Sequence, residues 1–218
     1  MKVLSLRFSK ACYSYEEWAL PQRYSAHRLR SMVDVRGSVL DVGCGTGFMS
    51  EGLKTVAGLD IAIGMVKVYR ERFGKAVLGD VHNLPFKDKS FDWVLSNFAL
   101  HWTDINISLP ELIRVCRGSL LCALPVEGSL PQLGFPFPRV EDIEGILMDA
   151  TRIRRLFLEE VPIPFKGWDL IRFFHYTGSS YNPLFNGGII SKKRIEDMIK
   201  TIDSTFFKVL FFLCEVKE

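Results

Sequence analysis

No apolar run in this 218-residue chain is long enough to cross a bilayer. The longest, Phe206 to Cys214, is broken by Lys208 and falls well short of the ~20 residues a membrane helix needs. Cysteine is scarce and unpaired. The five present (Cys12, Cys44, Cys116, Cys122, Cys214) are an odd number with no C-x-x-C pair, which fits a reduced compartment and implies no zinc site. Met1 to Arg7 lacks the apolar stretch of about 7–15 residues that marks a signal peptide, so a cytoplasmic location is expected. A large excess of one charge is also missing. The net +3 argues against a dedicated non-specific nucleic-acid binder. There is no internal repeat and no low-complexity tract. What remains is an ordinary globular mix, 48% apolar and 24% charged, in a chain long enough for a real core and short enough for one domain.

The charge is unevenly placed. Residues 1–38 carry seven Lys and Arg against three acids, 39–150 carry ten against fourteen, and 151–200 carry nine against five. Two basic segments thus flank an acidic middle. They read either as a solvated surface or as a docking face for an acidic partner.

Periodicity orders the elements. A helix is expected over 22–33, with Pro21 opening it and Ala26, Leu29, Met32 and Val33 at helical spacing. Strands are expected at 38–42, 55–59, 76–78, 91–96 and 119–124. Helices are expected to about 54 after the glycine cluster, then over 63–73 and 105–116. Beyond Pro125 come a Gly/Pro-rich loop to 138, a helix over 139–150, a strand over 155–165, a helix over 168–176, a loop over 177–190, a helix over 192–202 and a last apolar strand over 206–216. Alternating strands and helices imply parallel pairing with helices on both faces.

The first strand runs into Asp41-Val42-Gly43-Cys44-Gly45-Thr46-Gly47. Glycines suit a sharp turn that a ligand must approach closely. The pattern is neither the dinucleotide fingerprint, since Phe48 stands where its last glycine belongs, nor a P-loop, since no Gly-Lys-Ser/Thr closes it. Asp41 would repel a pyrophosphate and attract a cationic amine, directly or through water. Asp60, ending the second strand, is placed for a ribose diol. Asp80, after the third, is placed for an adenine amine. Each acid alone is equally well explained as a cap or turn residue. Together they suit a ligand with a sugar, a purine and a positive charge, which S-adenosylmethionine combines.

From Val39 to about Leu124 the chain resembles the class I S-adenosylmethionine-dependent methyltransferases. The resemblance rests on the glycine turn, on Gly79-Asp80 followed by Leu84-Pro85-Phe86, on Ser90-Phe91-Asp92-Trp93-Val94, and on Ser96-Asn97-Phe98-Ala99-Leu100-His101-Trp102. Phe8-Ser9-Lys10-Ala11, Tyr13 to Tyr15, Ala19, Leu20-Pro21-Gln22 and Glu127 to Leu133 are similar to the biotin-pathway malonyl-acyl-carrier-protein O-methyltransferases. Gly187-Gly188 and Leu210 to Leu213 match them more loosely. The chain departs from that pattern at Arg117-Gly118, where a Pro-Gly-Gly turn is expected. It departs again at Phe174 and Thr177, where basic residues are expected; Arg172 is the nearest substitute.

The resemblance implies a doubly wound, Rossmann-like, mostly parallel seven-stranded α/β sheet with helices on both faces and its last strand antiparallel. It adds an N-terminal helical arm and a cap between strands 5 and 6. One domain is expected, divided into an arm (1–37), a cofactor-binding half (38–125) and a substrate-side half with a basic cap (126–218). Asp41, Gly43, Gly45, Gly47, Asp60, Ile61, Met65, Asp80, Val81 and Asn97 are implied to bind S-adenosylmethionine, released as S-adenosylhomocysteine, with no metal. Tyr15 and Gln22 are implied to close over the cofactor and orient an acceptor carboxylate. His101 either bonds the acceptor or is a satisfied structural histidine. The implied acceptor is malonyl-acyl-carrier protein, an acidic partner, or malonyl-CoA; no nucleic acid or membrane is implied. Two alternatives stand beside it: a methyltransferase for a quinone or another small acid, and a cofactor-binding regulatory domain without turnover. A carboxylate acceptor is already ionised near pH 7 and needs no strong base. That accounts for the lack of any Ser-His-Asp or Cys-His set, and the four histidines show no metal-ligand spacing.

Overall fold

Side chains alternate in direction along a strand, so a strand apolar at every position belongs between two covered faces. Residues 209–214 do this. Val209 and Phe211 enter one core, while Leu210, Phe212 and Cys214 enter the other. The computed structural model, which describes residues 2–180 and 192–217, builds this pattern into a seven-stranded sheet. Its strands are β1 (Val39–Val42), β2 (Val56–Asp60), β3 (Ala76–Leu78), β4 (Phe91–Asn97), β5 (Cys116–Pro125), β6 (Thr151–Pro162) and β7 (Phe206–Val216). The order is β3-β2-β1-β4-β5-β7-β6. The first five are parallel, and β7 runs antiparallel to both of its neighbours. The expected doubly wound sheet with an antiparallel last strand is therefore the one found.

Helices α1 (Lys2–Ala11), α2 (Tyr15–Trp18) and α3 (Leu20–Arg30) form the arm. They are followed by α4 (Ile63–Phe73), α5 (Ile105–Val115), α6 (Val140–Ala150), α7 (Gly167–Tyr176) and α8 (Lys192–Lys200). One face of the sheet packs Leu109 and Leu112 of α5 with Ile143 and Leu147 of α6. The other packs Ala26 and Leu29 of α3 with Leu170 and Phe173 of α7. Each of these Leu, Ile and Phe side chains, fully buried, contributes roughly 1.5–3 kcal/mol, so the two helical layers rather than local propensity hold the sheet.

Several boundaries differ from expectation. No helix follows the glycine turn. Residues 43–55 instead form linked turns closed by Gly47 N–H to Cys44 O, Ser50 N–H to Gly47 O and Leu53 N–H to Ser50 O. Gly47 and Gly52 both take positive φ, +102° and +74°, which interrupts any helical run. Helix α3 begins two residues early and stops at Arg30. β6 starts at Thr151, four residues before the expected strand, with a bulge between Ile153 and Arg155. The segment joining β5 to β6 covers the sheet end through a loop whose Phe135 and Phe137 lie against Trp102 and His101, and then lays α6 on the sheet. Its charges are acidic apart from Arg139, and the basic cluster begins only in β6. Gly187-Gly188 and most of the expected 177–190 loop lie outside the described residues.

Candidate functional site

Because β1 lies between β2 and β4, the chain turns in opposite directions beyond its carboxyl end. Open α/β sheets bind ligands at such a switch point. A cavity partly open to solvent lies there, where such folds place a small-molecule site. Gly43 and Gly45 form one wall. Gly43 has φ +67°, and a Cβ on it would stand 2.2 Å from the Ala99 Cβ, so β4's exit excludes any larger residue. Gly45 has φ +51° and would meet nothing within 4 Å. Its front is open, and its N–H donates to Asp60 Oδ2 at 2.9 Å. Gly47 stands behind the wall, against the Phe73 ring.

The three acids part company. Asp60 and Asp80 line the cavity; Asp41 does not. Asp60 is held from both sides, Oδ2 by Gly45 and Oδ1 by the Ala62 N–H at 2.8 Å. Burial raises its pKa, and the backbone donors at Ala62, Gly45 and Ile61 pull it back. Each carboxylate oxygen keeps a further lone pair for a ligand hydroxyl. Asp80 follows β3 and accepts from the His82 backbone N–H and ring. Asp41 is 1% exposed beneath the turn, where Ser50 Oγ donates to it at 2.7 Å. Burial pushes its pKa up to about 7, with Ser50 opposing and the Asp60 charge adding. A direct bond from Asp41 to a ligand amine is therefore corrected: β1 buries the side chain in the fold.

Of the other expected residues, Tyr15, Ile61, Met65, Val81 and Asn97 line the cavity, while Gln22 and His101 do not. Asn97 joins the arm to the sheet. Its amide donates to the Gln22 carbonyl at 2.9 Å, and its oxygen accepts from Ser25 Oγ at 2.7 Å. Gln22 lies just behind it, buried, with Oε1 unpartnered among the described residues. Tyr15 stacks on Phe48. Burial, and then the Asp60 charge, hold its hydroxyl protonated. His101 sits among Phe98, Trp102 and Phe137, and burial pushes its pKa down to about 3, so it is neutral.

Further lining residues come from elements that motif reading passed over. Helix α1 roofs the cavity with Leu4 and Phe8, one helical turn apart. Their spacing was readable in the sequence; their destination was not. The Ser5 hydroxyl bonds the Ile61 carbonyl at 3.0 Å, tying roof to wall. Phe98, Ala99, Leu100, Trp102 and Thr103 complete the far side, with Phe98 at φ +54°, a backbone conformation costly for a bulky residue.

Comparison with known proteins agrees with this geometry. Residues 40–122 match the family described as "Methyltransferase domain". A malonyl-[acyl-carrier protein] O-methyltransferase of Yersinia pestis is 36% identical over 151 residues, covering 64% of this chain and 57% of the relative. One of Serratia marcescens is 37% identical over 160 residues, covering 67% and 63%. The match thus spans about three fifths of the length of these curated relatives. A crystal structure of a putative methyltransferase from Bacillus halodurans C-125 superposes with a TM-score of 0.67 at 16% identity, over 88% of this chain and 98% of that one, and so shares the fold.

Proposed function

We propose that this chain, which carries a methyltransferase domain over residues 40–122, methylates the free carboxyl of a malonyl thioester with S-adenosylmethionine as donor. The observation that carries the reading is one cavity in which the glycine turn, Asp60 and Asp80 meet from the ends of adjacent strands. The names of the relatives support a malonyl group on acyl carrier protein as the acceptor; the sequence resemblance adds a place in biotin synthesis, with malonyl-CoA as the alternative handle. On this reading the arm (1–37), the cofactor half (38–125) and the substrate half (126–218) act as one catalytic unit.

The residues fit the cofactor. The open front of Gly45 admits a ligand against the backbone, and both oxygens of Asp60 are oriented to accept ribose hydroxyls. Met65, Val81 and Leu100 offer apolar surface to a purine, and Asp80 offers an acceptor to its amine. When bound, S-adenosylmethionine supplies a methyl group on a cationic sulfur. The protein's part is to orient and desolvate. The acceptor carboxylate is ionised before it arrives, so no residue need remove a proton. Tyr15, kept protonated, is an O–H donor at the cavity edge and orients that carboxylate. Gln22 and His101 stand behind Asn97 and Phe98 and support that wall.

Methyl transfer from labelled cofactor to malonyl-, succinyl- and acetyl-thioesters, each on carrier protein and on coenzyme A, tests the reading. Malonyl thioester alone should yield a methyl ester. Transfer to quinones but to no thioester would replace the acceptor, and cofactor binding without any transfer would favour a regulatory domain. Asp60→Ala should weaken cofactor binding by about 10- to 150-fold, since a charge-assisted carboxylate contact contributes roughly 1.5–3 kcal/mol. Unchanged calorimetric affinity in a folded variant would remove Asp60 from the site.

A further inference from the structure

Asp80 reaches the cavity from a single 3-10 turn, Val81–Asn83, which it caps. Both donors it receives fall on one oxygen. The His82 backbone N–H lies 3.0 Å and the His82 ring Nδ1 2.7 Å from Asp80 Oδ1. Oδ2 takes no hydrogen bond from the described residues. The other side of the same ring is also engaged, because the Asp104 backbone N–H donates to His82 Nε2 at 3.0 Å. An N–H pointing at Nε2 requires a lone pair there, so the ring proton sits on Nδ1 and is given to Asp80. Asp104 caps α5, and Thr103 just before it lines the cavity. One imidazole therefore connects the β3 side of the cavity to the α5 side while fixing the rotation of the Asp80 carboxylate.

We propose that His82 is a positioning residue that sets the purine preference of the site. By holding Asp80 Oδ1 it fixes the orientation of Oδ2 as an acceptor for a 6-amino group, and so disfavours a 6-oxo purine, which presents an acceptor in the same place. This rests on the reading that Asp80 receives the purine amine. Without the ring, the carboxylate keeps only the backbone donor and is free to rotate about χ2. The short turn also loses its tie to α5. These two consequences are separable by substitution. In His82→Asn the side-chain amide lies near the position of Nδ1 and still donates to Asp80, but cannot reach Asp104. In His82→Gln the longer side chain places its oxygen near the position of Nε2 and keeps the Asp104 contact, but no longer holds Asp80.

The test compares binding of S-adenosylhomocysteine and S-inosylhomocysteine by calorimetry, with KM for the cofactor and kcat measured alongside. His82→Ala should weaken the adenosyl ligand by about 3- to 10-fold and the inosyl ligand much less. It should raise KM at nearly unchanged kcat. His82→Asn should restore most of the preference, whereas His82→Gln should not. In an Asp80→Ala background the His82→Ala change should have no further effect. If Asp80→Ala leaves the adenosyl preference intact, the assignment of Asp80 to the amine fails. If Asp80→Ala abolishes the preference but His82→Ala does not reduce it, or if Gln rescues and Asn does not, the positioning role of His82 is overturned and the ring is only a tether between turn and helix.

Discussion

Asp41 shows how a motif residue can be set apart from the ligand it stands next to. It precedes the glycine turn, yet its carboxyl points into the fold. Ser50 gives its only hydroxyl proton to Asp41, so the Tyr69 hydroxyl, 2.6 Å from Ser50 Oγ, must donate in turn. This chain of three fastens the linked turns of 43–55 to β1 and α4, where no helix supplies its own hydrogen bonds. The cost is a carboxyl whose pKa burial lifts to about 7. The folded state holds that proton in a range where the unfolded chain, titrating near 3.9, has released it. Stability therefore falls as pH rises from about 4 to about 7, and the loss is complete above that. The shift of roughly three units sets an upper bound of about 4 kcal/mol. Asp41→Asn keeps an oxygen for Ser50 and removes the titration. Urea melts of the cofactor-free protein should show the variant gaining on the wild type between pH 4 and 8. A wild type that gains on the variant with rising pH would contradict the assignment.

At the scale of elements, legibility followed the range of the interactions that end each one. Helix α4 and strands β3 and β7 were readable to the residue, because local chemistry stops them. Gly74, at φ +82°, closes α4, for example, with its N–H on the Arg70 carbonyl. Helix α1 was readable only as part of an arm. Its first turn has no acid, and its fastening lies far along the chain, where Gly64 packs so close that a Cβ would stand 2.3 Å from the Ser9 carbonyl oxygen. Strand-glycine-helix is the commoner local grammar and predicts a helix from the end of the glycine cluster to about residue 54, where the structure has linked turns. The Ser-Phe-Asp motif was visible, but its task was not. Asp92 lies at the start of β4, the end of the sheet away from the cavity. It accepts from the Ser38 N–H and hydroxyl, both at 2.8 Å, and from Arg117 Nε at 2.8 Å. The Arg117 bond first, then Ser38, hold its carboxyl well below the usual range. It joins the entry to β1 with the starts of β4 and β5, and so accounts for Arg117-Gly118 there. Asp92→Ala should lower stability by about 1–3 kcal/mol in denaturant melts while leaving cofactor affinity unchanged. A loss of affinity without a loss of stability would place Asp92 in the site instead.

Across the whole molecule, the sheet decides which basic surface an acidic carrier can use. Arg152, Arg154 and Arg155 form one basic group, but they lie at the start of edge strand β6, where Arg152 pairs with Glu215 and Arg155 with Leu213 of β7. The cavity lies towards the other end, where β4 and β5 finish: Arg152 is level with Ser119 and Arg155 with Leu121, about 13–20 Å short of Pro125 at about 3.3 Å per residue. Arg154 is also committed to Glu215 at 2.6 Å, and the bulge makes it the unpaired residue of the ladder. Charges on an exposed edge serve to discourage strand pairing with another copy. The other basic segments are better placed. Lys2 and Lys10 are exposed on α1, whose inner face roofs the cavity. Lys193 is exposed on α8, which leads into the cavity end of β7, while the side chains at 192 and 194 lie outside the described residues. If malonyl-acyl-carrier protein is the acceptor, raising salt from about 0.05 to 0.5 M should increase its KM, since exposed pairs are screened beyond a Debye length of about 10 Å at 0.1 M. Lys10→Glu with Lys193→Glu should raise the KM for the carrier-bound substrate by about 3- to 10-fold, and that for the coenzyme A thioester less. Arg152→Glu with Arg155→Glu should leave both unchanged. Steady-state kinetics on the two thioesters separate the cases. A loss confined to the β6 variant would move docking to the start of edge strand β6 and require the acyl arm to cross from there to the cavity end of the sheet. Equal losses on both thioesters in the α1 and α8 variant would mean that the roof over the cofactor, rather than a carrier surface, had been disturbed.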